Sequence, residues 1–310
     1  MKAVVTGGAG FIGSALVARL RAMDPTGHVV VLDDFSVGSP ERIVDDPAVA
    51  VVEGSVLDRG LLDAALAGAE VVVHLAALTS VPASVTAPRR YHEVNASGTW
   101  EVLDAARRAG GPYCLVASSA AVYGDAPPLP SHEGLPVRPT SPYAASKVAA
   151  EAHAAVAQAC YGLPVLCLRL FNVFGPGQHA GGPSSPVIPA FLEAALARRP
   201  LEVHGSGEQT RDFVDVDTVV DVLVAAMRRR VASPVPVNVA SGSPTSLRQL
   251  VSALGELGLP VDVVAAPERP GDVAHSCGEV TRLRRLFPEI EPRRFMDGLA
   301  ATLRWFEGSR

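Results

Sequence analysis

The run VVTGGAGFIGSAL, Val4 to Leu16, passes from an apolar, strand-like stretch into a helix-like one across Gly7, Gly10 and Gly13. Without a Cβ, glycine lets the backbone approach a ligand closely, and a helix N-terminus offers unpaired N–H groups to an anion. GxxGxxG between a strand and a helix, opening a βαβ unit, is a variant of the dinucleotide fingerprint. The next strand ends in VLDD, so Asp33 falls about 20 residues past the last glycine, where a carboxylate accepts hydrogen bonds from the adenosine ribose. A carboxylate there repels a 2′-phosphate, which selects NAD over NADP. The bland alternative is an ordinary strand–turn–helix with a carboxylate cap.

Outward from this segment, KAVVTG, HVVVLDD, AEVVVHLAA, PYCLVASS and PVLCLRL are apolar throughout. Between them lie the helical runs GSALVARLRAM, DRGLLDAALAG, NASGTWEVLDAARRAG and the helix after Tyr143. Strands without alternation belong to a parallel sheet covered by helices on both faces. The fold class is therefore α/β, a Rossmann-type doubly wound parallel sheet with a smaller C-terminal α/β domain. HLAAL reads as the end of a third strand, where Leu75, Ala76 and Ala77 leave room beside the backbone; small core residues would look the same. After RLFNVFGPG come the Gly/Pro-rich loops GPGQHAGGPSSP and HGSGEQTRD, of the kind that carry binding groups. The expected division is a dinucleotide-binding domain over 1–170 and a substrate domain over 171–310, with 213–240 returning to the first through the strand-like PVNVAS.

The chain has 310 residues, 48% hydrophobic and 19% charged, which suits a compact protein and excludes a disordered one. A net charge of −5 carries no basic excess for nucleic acid. Arg228–Arg230 follows VVDVLVAAM, where cations complement a helix C-terminus. Cys114, Cys160, Cys167 and Cys277 lack metal-binding spacing and read as buried thiols of a reducing compartment. No metal is expected. The N-terminus carries no signal pattern and no apolar stretch is long enough to span a bilayer, so a cytoplasmic protein without membrane contact is expected.

SPYAASK, Ser141 to Lys147, puts Tyr143 and Lys147 four residues apart at the start of an Ala-rich helix, on one face. An ammonium near a phenol favours the phenolate and is expected to lower the Tyr143 pKa. A solvated surface pair has the same spacing.

The fingerprint, HLAA, Asn95 in NASGT, SSAAVYG and YAASK, in this order, resemble the extended short-chain dehydrogenase/reductase family. RLFNVFGPGQ, GSGEQTRDFVDV and RPGD look like its nucleotide-sugar branch, so the similarity spans nearly the whole chain. It implies that Tyr143 is the acid/base, that Lys147 tunes it and binds the nicotinamide ribose, and that Ser119 bonds the reacting sugar oxygen. It further implies NAD contacts from Gly7, Gly10, Phe11, Ile12, Gly13, Asp33, Asp34, Leu75, Ala76, Ala77 and Asn95. Substrate contacts are implied for Thr79, Asn172, Val187, Arg211, Arg269 and Ser276, with the two arginines clasping a diphosphate. Each arginine could instead pair with a neighbouring acid, Asp212 or Asp272.

Dehydratases of the branch carry an acid just after the catalytic hydroxyl, where this chain has Ala120 and Ala121. The resemblance then points to the UDP-glucose 4-epimerase group, acting on a UDP-hexose or UDP-N-acetylhexosamine through a transient 4-keto sugar. Ser276 stands where a large aromatic restricts the sugar in that group, and His179 stands near the position of an arginine that holds uronic acids. A 4-ketosugar reductase, an epimerase of a modified sugar or uronic acid, and a noncatalytic NAD-binding sensor are the alternatives. Ser55 replaces the usual adenine-contacting Asp, with Asp58 three residues on. The family's habit of pairing the helices after NASGT and SPY implies a homodimer.

Overall fold

The computed structural model describes residues 1–180, 185–268 and 273–308, so Arg269 and Asp272 lie outside the described residues. Its strands are β1 (Lys2–Thr6), β2 (His28–Asp33), β3 (Val49–Glu53), β4 (Val71–His74), β5 (Tyr113–Ser119), β6 (Val165–Leu170), β7 (Asn172–Phe174), β8 (Leu201–His204), β9 (Thr210–Arg211), β10 (Phe213–Asp215), β11 (Val237–Val239), β12 (Thr245–Ser246) and β13 (Val263–Ala266). The helices are α1 (Phe11–Met23), α2 (Arg59–Leu66), α3 (Val81–Thr86), α4 (Pro88–Tyr91), α5 (Gly98–Arg108), α6 (Pro142–Tyr161), α7 (Val187–Leu196), α8 (Val216–Arg229), α9 (Leu247–Glu256), α10 (Thr281–Leu286) and α11 (Phe295–Gly308).

Seven strands form one sheet in the order β11-β6-β5-β4-β1-β2-β3, all parallel. Successive side chains of a strand point to opposite faces, which explains why the strands read as apolar throughout. Ala3 and Val5 of β1 enter a core with Leu16 and Val17 of α1 and Val219, Leu223 and Met227 of α8. Val4, between them, enters a second core with Leu62 of α2, Val102 and Leu103 of α5 and Ala154 of α6. The chain order reverses between β1 and β4, and ligands of open α/β sheets bind outside the carboxyl ends of the strands at such a point.

HLAAL follows the fourth strand and not the third. The strand missed by the apolar-run criterion is β3, an edge strand with Val51 48% exposed, whose pattern reflects one covered edge and no buried face. β11 lies at the opposite edge beside β6, with Asn238 opposite Arg169. Beyond the sheet, the pairs β7·β10, β9·β12 and β8·β13 and helices α7, α9 and α11 enclose a third core around Phe174, Phe191, Leu192, Leu250 and Leu299. Arg228 and Arg229 close the last turn of α8 and Arg230 caps it in the left-handed region (φ 47). Of the four cysteines only Cys114 and Cys167 are buried; Cys160 is exposed because it faces solvent near the end of α6. Among the described residues no helix is long and apolar enough to cross a membrane.

Candidate active site

The glycine turn is a cradle that side chains would fill. Gly7 sits at φ +71, and a Cβ there would lie 2.6 Å from the Ala76 amide nitrogen and 2.8 Å from the Leu75 carbonyl carbon. A Cβ on Gly13 would run into the Gly7 carbonyl oxygen. α1 starts after Gly10 with no side-chain cap and no acid in its first turn, which leaves its positive end, at Phe11 and Ile12, for an anion. Asp33, 7% exposed, accepts from the Ala9 amide (2.9 Å) and the Phe35 amide (3.0 Å), so one carboxylate fastens the glycine turn to the end of β2. Asp34 is exposed and accepts from the amide and hydroxyl of Ser36, closing its own turn. Asp58 is exposed and accepts from the Leu61 amide (3.0 Å) as the N-cap of α2. A cradle that only glycine can line, a bare helix N-terminus and a carboxylate at the next strand end together fit NAD.

Asn95 does not face that cradle. It is 1% exposed, and its side chain takes the Leu78 amide (2.8 Å) and gives to the Leu78 carbonyl (2.9 Å) and Ser146 hydroxyl (3.0 Å). The reason is a π-helical turn, His92–Ser97, between α4 and α5, which turns Asn95 toward the segment after β4. Ser146 in turn donates to the Tyr143 carbonyl (2.7 Å), so Asn95 ties α6 to the segment after β4. Next to it, Thr99 donates to the Asn95 carbonyl and meets His74 Nε2, while Thr6 meets His74 Nδ1. With the Thr99 proton so placed, the network assigns the proton of His74 to Nε2. Burial, and then the charge of Lys147, push His74 down to about 3, so it is neutral.

α6 begins at a Ser141 cap and Pro142, which sets Tyr143 and Lys147 in its first two turns, facing inward. Both are buried, at 8% and 6% exposure, which removes the surface-pair alternative. Ser119 ends β5, with its hydroxyl oxygen accepting from the Ala121 amide (3.2 Å), and it is the neighbour that pulls the Tyr143 phenol down. Burial nevertheless holds the phenol above its ordinary value, against the pull of Ser119 and with a further push from Tyr91. This corrects the expectation of a phenol drawn down by Lys147. The ammonium is itself buried, pushed down to about 8, and donates to the Ala117 carbonyl (2.9 Å).

A cavity of about 550 Å³ is lined by Asn172, Val187 and Arg211 together with Glu193, Glu202, His204 and Gln209. Three residues expected to meet substrate therefore share one space. Ser276 is half-buried beside it, its amide donating to the Thr210 carbonyl (3.1 Å), whereas Thr79 is exposed after β4. Asp212 accepts from the amides of Ser241, Gly242 and Gly278 and from the Ser241 hydroxyl, so its charge is committed to backbone and not to Arg211. His179 packs edge-on against Trp305 (4.9 Å), held below its ordinary value by burial and then by Arg42. Sequence reasoning missed Glu151, Arg169, Glu202 and His204. Glu151, one turn beyond Lys147, was the one marked by local spacing.

The model of the NAD dependent epimerase/dehydratase family matches residues 3–240. A UDP-glucose 4-epimerase of Mycolicibacterium smegmatis is 39% identical over 99% of this chain and 98% of its own length. A dTDP-glucose 4,6-dehydratase of Streptomyces antibioticus is 33% identical over 100% of this chain and 93% of its own. Among solved structures, the UDP-N-acetylglucosamine 4-epimerase of Methanobrevibacter ruminantium M1, in complex with UDP-N-acetylmuramic acid, superposes with a TM-score of 0.93 at 32% identity, covering 100% of this chain and 99% of that one. With a glycine cradle, a carboxylate at the end of β2 and a Ser–Tyr–Lys cluster whose Tyr and Lys are buried, on a seven-stranded parallel sheet, this chain belongs to the NAD-dependent epimerase/dehydratase family of nucleotide-sugar enzymes.

Proposed function

We propose that the protein interconverts the C4 epimers of a UDP-hexose or UDP-N-acetylhexosamine through a transient 4-keto sugar. The observation that carries this reading is Ser119 beside the buried Tyr143 and Lys147, with Ala120 and Ala121 following Ser119, which offers proton transfer at one carbon and no acid in those two positions for removing water. Ser119 orients the sugar hydroxyl, Tyr143 takes and returns its proton, and Lys147 holds the nicotinamide ribose. Bound NAD supplies the hydride acceptor and a positive ring that draws the buried phenol down. Loss and return of hydride on opposite faces of C4 needs a sugar free to turn while its diphosphate stays clasped by Arg211 and Arg269.

Cavity geometry supports a pyrimidine-dione base. In the parallel pair β8·β13, Leu201 and Gly205 donate to Asp262 and Ala266, so residues 201, 203 and 205 face β13 and residues 202 and 204 face the open edge. The Glu202 carbonyl and His204 amide then form an acceptor–donor pair that matches the N3–H and a flanking carbonyl of uracil. Small Ser276 leaves space for an N-acetyl group, and a neutral His179 packed on Trp305 is a poor carboxylate partner. The reading assigns residues 171–310, apart from 213–240, to substrate. It also includes a homodimer: the solvent side of α6 shows Ala145, Ala152, Ala155, Val156 and Ala159, while its charged residues Lys147 and Glu151 are turned inward.

The test is mass spectrometry of the purified protein for bound NAD, then UDP-sugars assayed without added reductant. Interconversion of C4 epimers is the expected result. Consumption of NADH by a 4-keto sugar would make the protein a reductase, and release of a 4-keto-6-deoxy sugar would make it a dehydratase.

A further inference from the structure

Behind the Ser–Tyr–Lys cluster lies a second buried group that the proposed reaction does not use. Arg169 of β6 is 4% exposed and forks onto Glu151 of α6, Nε to Oε1 and Nη2 to Oε2, both at 2.8 Å. Ser118 donates to the same Oε1 (2.6 Å). Arg169 also lies over the Tyr123 ring (4.8 Å), whose hydroxyl donates to Asn238 on β11 (2.7 Å). Glu151 is one helical turn from Lys147, on the same inward face. Neighbouring residues of β5 hold the two side chains, Ala117 through its carbonyl for Lys147 and Ser118 through its hydroxyl for Glu151.

We propose that Glu151 is the positioning residue that keeps Lys147 an ammonium, one carboxylate serving the two buried cations Lys147 and Arg169. The proposal rests on the role given to Lys147 above. Around Lys147 stand Tyr143 and Glu151, one turn before and after it on α6, His74 on β4 and Cys167 on β6. His74 is neutral, and burial and Glu151 hold the Cys167 thiol far above its ordinary value, so it carries no charge near pH 8. Tyr143 is a buried phenol held above its ordinary value. Glu151 is then the anion of the group. Arginine does not give up its proton, so without that anion both buried cations lose their carboxylate and the lysine is the one that neutralises.

Lys2 and Lys147 are the only lysines of the chain, which makes the test direct. In full-length protein labelled with 13C at lysine Cε, the Cε resonance of Lys147 reports its ionisation against pH, and the Lys2→Arg variant assigns it. Glu151→Gln, which keeps the shape and a hydrogen-bonding oxygen, is expected to lower the Lys147 midpoint by about one pH unit and to move the alkaline limb of turnover the same way. Arg169→Gln, which leaves the carboxylate to Lys147 alone, is expected to raise it. A midpoint unmoved in whichever variant folds, judged by circular dichroism, overturns the proposal, as does a Glu151→Gln midpoint that rises. Ser118→Ala keeps the charge and should leave the midpoint in place; a fall as large as that of Glu151→Gln would assign the effect to packing and also overturn it. The midpoint is read without turnover, so a Lys147→Met variant that stayed active would refute the role of Lys147 separately.

Discussion

The two ends of the candidate site are built in opposite ways. At the reactive end Ser119, Tyr143, Lys147, His74 and Asn95 come from the main sheet and its helices, and all but Ser119 are buried, with Lys147, His74 and Asn95 held by named protein partners. At the cavity end Asn172 and Glu202 are exposed and Ser276 half-buried, on short strands and loops around a separate core. The difference teaches where charge is tuned and where it is only presented. Burial moves the phenol up and the lysine down at the first end, while exposed groups at the second stay hydrated until a ligand displaces water.

The largest expected effect breaks chemistry at the buried end alone. Tyr143→Phe should lower turnover by about 10²–10⁴-fold, with NAD still bound as read by mass spectrometry of the purified protein; near-normal turnover would end the role given to the phenol. At the exposed end, Arg211→Gln should raise KM for the nucleotide sugar by about 10–100-fold, the worth of a hydrogen bond to a charged group, with a smaller change in kcat. A loss confined to kcat would mean that the two ends are not separable in this way.

Lys147→Met sharpens the comparison through stability. The folded-state value of Lys147, about 8, lies below its ordinary 10.5, so below pH 8 both states are protonated and the buried charge opposes folding. Wild-type stability therefore rises as pH goes from about 8 to 10.5, and the methionine variant lacks that rise. At pH 7 the variant should be more stable by roughly 1–3 kcal/mol in urea denaturation while losing turnover. A destabilised variant would show that the Ala117 bond outweighs desolvation. The smallest effect belongs to the rim. Asp58→Ala should cost about 1 kcal/mol through the lost α2 cap and leave NAD affinity, measured by calorimetry, unchanged.

Glycine spacing, the strand-end position of Asp33 and the Tyr143–Lys147 spacing were legible because each is set by a few consecutive residues and by helix or strand periodicity. β3 escaped because an edge strand with an exposed face lacks the continuous apolar run of its neighbours. The protein bonds of Asn95 escaped because a single π-helical turn, invisible in composition, points it at Leu78 and Ser146. Arg169 and Glu151 are 18 residues apart, and nothing local says that one strand and one helix will bring them into a fork.

The sequence by itself determined the doubly wound sheet, the cofactor and the shared helix face of the Tyr143–Lys147 pair, since those follow from short-range patterns of glycines, apolar runs and helical spacing. Tertiary structure alone decided the ionisation of that pair, the assembly of the cavity from α7, β7, β8 and β9, and the gathering of Lys147, Glu151 and Arg169. Desolvation and charge pairing depend on which distant segments exclude water from a side chain, and that is a property of packing and not of spacing.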